Sequence, residues 1–161
     1  MLNIHLHPAL VHFPIALLLV AAVAGLLYLH GRPREELRVL TWWPMLLGWI
    51  ATAVAILTGL LDQRNLPPDA PFRPVLNWHI GTGLALFVVY GWILYQKWLF
   101  GGSKAQRRRV KAGVAEDELL DWPGARWWLT GLLLLGSLLV VASGWNGGRL
   151  VYEWAVNVAR P

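Results

Sequence analysis

The sequence predicts an all-α fold, a four-helix transmembrane bundle running up and down within one domain, and three observations carry that reading. Of 161 residues, 57% are apolar and 14% charged, with a mean hydropathy of +0.48, against about 45–50% apolar and about 25% charged in a soluble domain. Four stretches, residues 9–29, 39–61, 76–98 and 127–145, are long and apolar enough to cross a hydrocarbon core, which takes about 20 residues of helix. Within them charge is nearly absent, and Leu, Val, Ile and Ala show none of the period-2 alternation of a membrane β-barrel strand. A chain this apolar is not disordered. The absence of cysteine excludes disulfides, thiolate nucleophiles, Cys-ligated zinc, iron–sulfur clusters and covalently attached haem, so any metal is held by His or carboxylate.

The first span is expected to stay in the mature protein, because residues 1–6 carry no Lys or Arg to make the n-region of a signal peptide. Pro8 suits a helix start, while Pro14 removes an amide near His12 and frees a carbonyl or bends the helix. The second span carries Gly48, Thr52, Ala55 and Gly59 in one stripe, which lets another backbone pack closely or leaves room for a flat cofactor. Residues 62–75 hold Pro67, Pro68, Pro71 and Pro74 and read as an ordered, irregular cap. The third span offers Gly81 and Gly83, with Lys97 snorkelling at its far end. Residues 101–125 form a polar connection, either flexible or a short interfacial helix, and residues 146–161 a C-terminal tail.

Charge in the connections predicts orientation, since cytoplasmic loops carry the Lys and Arg excess. Arg32, Arg34, Arg38, Lys97, Lys104, Arg107, Arg108, Arg109, Lys111 and Arg126 put ten of the 14 basic residues on one side. Both termini and the 62–75 loop are then expected on the outer, periplasmic face of a bacterial inner membrane. Trp42, Trp43, Trp98, Trp127 and Trp128 mark the inner interface and Trp78 and Trp145 the outer one, with Trp49 and Trp92 packing deeper. The basic run at 106–111 lies beside a membrane span and is followed by Glu116, Asp117, Glu118 and Asp121, so no nucleic-acid partner is expected.

The chemistry lies in five histidines. His5 and His7 precede the first span, His12 lies just inside it, His30 closes it and reads as an interfacial cap, and His79 lies about one turn inside the third span. An ionisable side chain in a membrane helix marks a functional site by default. His12 and His79 fall at the same outer depth, with Asp62 arriving beside them from the second span. In an up-and-down bundle the first and third helices are diagonal, ~14 Å apart for neighbouring axes ~10 Å apart, a gap that takes a porphyrin between two imidazoles. His12 and His79 are therefore the expected axial ligands of a haem b, with Gly83 against the ring edge and Arg73 and Arg149 as cations for the propionates. His7 is a propionate donor, a ligand to a second metal, or the axial ligand in place of His12. Three other readings stand beside this one. His7, His12, His79 and Asp62 form a ligand set for a copper, zinc or iron ion, or the histidines hydrogen-bond neighbouring helices in a non-redox scaffold that positions a partner, or they are protonatable groups on a proton or substrate path. No Ser/His/Asp set, phosphate-binding glycine loop or paired intramembrane carboxylates appear, so an electron-transfer or anchoring subunit is expected rather than a complete enzyme. Its partners besides the lipid bilayer would be other membrane redox subunits, a periplasmic cytochrome or a quinone.

The motif His7-Pro8-Ala9-Leu10-Val11-His12-Phe13-Pro14-Ile15-Ala16-Leu17 resembles the opening signature of the predicted bacterial membrane proteins grouped as domain of unknown function 2231. The resemblance continues through Thr58-Gly59-Leu60-Leu61-Asp62, His79-Ile80-Gly81 and Gly147-Gly148-Arg149-Leu150-Val151-Tyr152. It implies a small four-helix inner-membrane domain with these segments on one side, and haem-linked electron transfer as the activity to look for.

Overall fold

The computed structural model describes residues 7, 10–111, 113 and 118–156, with His5 and Pro8 outside that range. Helix α1 spans His12–His30, α2 Glu35–Asp62, α3 Arg73–Gly101, the short α4 Ser103–Lys111 and α5 Arg126–Tyr152, with single 3-10 turns at Gln63–Asn65 and Pro123–Ala125. There is no strand among the described residues. Four helices are long and apolar enough to cross a membrane, as the hydropathy predicts.

Local chemistry places the ends. α1 stops at Gly31, whose N–H donates to the Leu27 carbonyl (2.8 Å) and where a Cβ would lie 2.6 Å from that oxygen. α2 opens with Glu35 and Glu36 against the positive end of its dipole, and Pro74 sits in the first turn of α3, where the missing N–H leaves no bond unmade. Three helices clearly outrun their hydropathic spans: α2 starts at Glu35, α3 runs from Arg73 to Gly101, and α5 continues to Tyr152 through residues expected to be tail.

α1 packs against α2 and α5, and α3 against the same two, so α1 and α3 are diagonal, as expected for an up-and-down bundle. Leu18, Met45, Tyr90, Ile93, Leu129 and Leu133 fill the centre. Large side chains sit where a neighbouring helix has glycine: Leu18 against Gly48, Tyr90 against Gly136, and the Trp49 indole against Gly91, each 2.7–2.9 Å from where a Cβ would be. The small-residue stripe of α2 is thus a packing surface for α1. Apolar side chains on the outer faces, such as Val88, Leu138 and Val141, are exposed, as in a protein whose solvent there is lipid.

One end of the bundle is closed by residues 118–122, part of the connection expected to be flexible or interfacial. Leu119 and Leu120 are buried in the core, and Glu118 turns inward. Its carboxylate accepts from Lys97 Nζ (3.0 Å), Trp42 Nε1 (3.0 Å) and the Leu119 N–H (3.2 Å), while the Tyr28 hydroxyl donates to Asp121 (2.6 Å). Lys97 lies 4.0 Å over the Trp42 ring, so it is an interior partner rather than a snorkelling cation. Trp42, expected at the interface, is only 8% exposed, because its N–H has an acceptor inside the fold. Trp43, Trp98, Trp122 and Trp127 are among the exposed rings at this end, and Trp78 and Trp145 among those at the other. His30 is the last residue of α1, its ring paired with the Thr130 hydroxyl of α5 (2.7 Å), while Gly31 provides the cap.

Candidate functional site

The opposite end brings two histidines together. Helical hydrogen bonding reaches back before α1, with the Val11 N–H donating to the His7 carbonyl (3.2 Å). His7 and His12 are five residues apart, which on a helix puts them about 140° round the axis from each other. Only one of them can face the bundle, and it is His7; His12 is exposed. The His7 ring lies 5.8 Å from the His79 ring, centre to centre, with the planes 79° apart. The pair therefore joins α3 to the turn before α1, across the predicted diagonal but one helical turn beyond His12.

Both rings are seated alike. His7 Nδ1 donates to the Ala55 carbonyl (2.8 Å), with the Thr58 hydroxyl at 3.4 Å, and a Cβ on Gly59 would lie 3.0 Å from the ring. His79 Nδ1 donates to the Ser143 carbonyl (2.9 Å), with the Ser143 hydroxyl at 3.5 Å, and a Cβ on Gly147 would lie 3.1 Å from the ring. In each seat a small residue offers its carbonyl and a glycine four residues on gives the ring room. The continuation of α5 past residue 146 is what brings Gly147 under His79. Because a carbonyl only accepts, both Nδ1 atoms carry the proton. Both Nε2 atoms are then lone-pair donors, and neither has a hydrogen-bond partner among the described residues.

The other expected site residues lie apart from this pair. Asp62 ends α2, and its shielded Oδ2 has no partner among the described residues. It does not complete a ligand set, since no three His, Cys, Asp or Glu side chains converge among the described residues. Gly83 faces α5, with the Ser143 hydroxyl 3.9 Å from where its Cβ would be. Arg73 is turned onto the preceding loop, its guanidinium donating to the carbonyls of Leu66 and Pro67, and so orders the proline-rich connection. Arg149 pairs with Glu153 on its own helix (3.0 Å). The glycine seats are what sequence reasoning missed, and the spacing Ala55-to-Gly59 and Ser143-to-Gly147 was the available signal.

Fold and site together define a class: an all-helical, multi-span membrane protein with two imidazoles held face to edge near one end of its bundle. The chain belongs to DUF2231, a family of predicted membrane proteins whose sequence profile matches residues 3–160. No curated protein and no solved structure matches it.

Proposed function

We propose that the protein is a cytochrome b-like electron-transfer subunit of the bacterial inner membrane, in which His7 and His79 would hold one haem b. The observation that carries this reading is the matched pair of Nδ1 bonds to backbone carbonyls, which orients both imidazoles and leaves both Nε2 lone pairs free. Such a bond on the far nitrogen is the usual support of a metal-ligating histidine. The two rings lie 5.8 Å apart, centre to centre, so one group could be held by both. Ligand number favours haem over a bare copper, zinc or iron ion. A porphyrin supplies four nitrogens and asks two of the protein, whereas a bare ion takes three or four protein ligands.

When bound, the haem would supply one-electron redox chemistry. The chain's own part is to fix the two imidazoles, and their seats on α2 and α5 do that. The excess of Lys and Arg at the Glu118 end supports an orientation with the histidine end and both termini in the periplasm. There a periplasmic cytochrome would meet it, with the quinone pool or a larger membrane complex as the other partner.

Absorption spectra of the detergent-purified protein, oxidised and dithionite-reduced, test the reading. A low-spin haem spectrum lost in His7→Ala and in His79→Ala, but kept in His12→Ala and His30→Ala, is the expected result. A colourless, iron-free preparation from haem-replete cells would remove it. The second reading, a non-redox scaffold, rests on one observation: each imidazole ties two segments, His7 to α2 and His79 to α5. It predicts a colourless protein whose thermal stability falls in both histidine variants.

A further inference from the structure

A cleft of about 230 Å³ opens at the Glu118 end between α3, α4, the 118–122 segment and α5, lined by Gln96, Phe100, Arg109, Leu119, Trp122 and Trp128. Among the described residues, Arg109 is its only charged lining residue. The guanidinium lies 3.7 Å over the Phe100 ring, and its Nε is shielded from solvent with no partner among the described residues. Trp122 forms the next wall, its ring 5.8 Å from Phe100 and pressed against Gly124. An arginine held flat on an aromatic face with an unspent N–H presents its donors to one side, the arrangement that suits a phosphate or carboxylate.

The surroundings select among anions. Trp98 and Trp127, both exposed, set this level at a bilayer surface. Arg107, Arg108 and Lys111 are exposed on α4, and none of the ion pairs among the described residues includes an α4 side chain. Arg109 thus supplies both the cation and the hydrogen-bond donors of the described wall, while Phe100, Leu119, Trp122 and Trp128 make the remainder apolar. That combination fits an amphiphile with an anionic head. Size excludes bulkier occupants: drug-sized ligands and cofactors take about 300–1,000 Å³, and this cleft admits a phosphodiester and the first methylenes of a chain. From this we infer that the cleft binds the headgroup phosphate of an anionic phospholipid, with Arg109 on the phosphate, Gln96 beside it and the acyl chain leaving along Leu99 into the bilayer.

Native mass spectrometry of the delipidated full-length protein, titrated with phosphatidylglycerol, phosphatidylcholine, inorganic phosphate and a ubiquinone, tests this. One phosphatidylglycerol is expected to bind about tenfold more tightly than phosphatidylcholine. Arg109→Ala should abolish that preference, Arg109→Lys should keep part of it, and Arg107→Ala, on the same helix but outside the cleft, should leave it within about twofold. Trp122→Leu should weaken the lipid without touching any charge, so a poorly folding arginine variant does not end the test. Equal losses in Arg107→Ala and Arg109→Ala would show diffuse attraction to a basic surface and overturn the cleft. So would an unchanged preference in Arg109→Ala. Displacement by inorganic phosphate at equal concentration, or by the ubiquinone, would overturn the lipid assignment.

Discussion

The Glu118 network and the histidine pair, at opposite ends of the bundle, use polar groups in opposite ways. At one, the Glu118 carboxylate receives three hydrogen bonds, Lys97 is neutralised and also lies over Trp42, and Tyr28 donates to Asp121. Every polar group described in that network has a partner. At the other, two imidazoles are each fixed by one nitrogen and keep the second, and Asp62 ends α2 with a shielded oxygen unpartnered among the described residues. Unspent hydrogen-bonding capacity in a low-dielectric setting is costly. The contrast teaches how to separate polar groups that hold a membrane bundle together from those kept for a ligand: saturation marks the first, and a fixed orientation with a free lone pair marks the second.

Single substitutions break this comparison at either end. The largest effect is expected from His79→Ala, which removes one of the two imidazoles proposed to hold the haem and should abolish the expected low-spin spectrum while the protein still purifies as a folded membrane protein. Glu118→Ala strands the Lys97 ammonium and the Trp42 N–H, and should cost about 2–3 kcal/mol, read as a lower melting temperature in detergent. Haem content per folded molecule should stay unchanged, because this network lies at the far end. Gly136→Ala places a methyl group 2.7 Å from the Tyr90 ring and should cost about 1–3 kcal/mol, again without a spectral change. Gly147→Ala touches the seat of His79 rather than the core, with a contact at 3.1 Å. Its expected signature is a shifted spectrum with a melting change under about 1 kcal/mol. The smallest effect belongs to His12→Ala on the exposed face, within about 0.5 kcal/mol and spectrally silent. A spectral loss in His12→Ala and none in His7→Ala would reverse the choice between these two histidines.

The four spans were legible because the bilayer demands length and apolarity, both of which are local. The diagonal placement of α1 and α3 was legible too, since short connections force neighbouring helices antiparallel. What escaped was long-range pairing of polar residues. Lys97 at a helix end reads as a snorkelling cation until Glu118 is seen folded back beneath it, and nothing local to either residue announces the other. Trp42 reads as an interface anchor for the same reason. Residues 146–161 read as a tail, yet α5 continues to Tyr152, and that continuation brings Gly147 under His79. The site was half legible: His79 and the level of the centre followed from depth alone. The choice of His7 over His12 turned on which side of α1 faces the bundle, and a helix apolar all round does not encode that.

The two imidazoles also belong to different halves of the molecule. His7 is anchored on α2 and His79 on α5, so the α1–α2 hairpin carries one and the α3–α5 pair the other. Neither half alone presents both. Any ligand that grips both rings binds only the docked arrangement, and mass action then makes it a rivet: stability rises with the logarithm of its concentration above the dissociation constant. Such a ligand would add to the shared core and the Glu118 network that already join the two halves, so loading and stability would rise together.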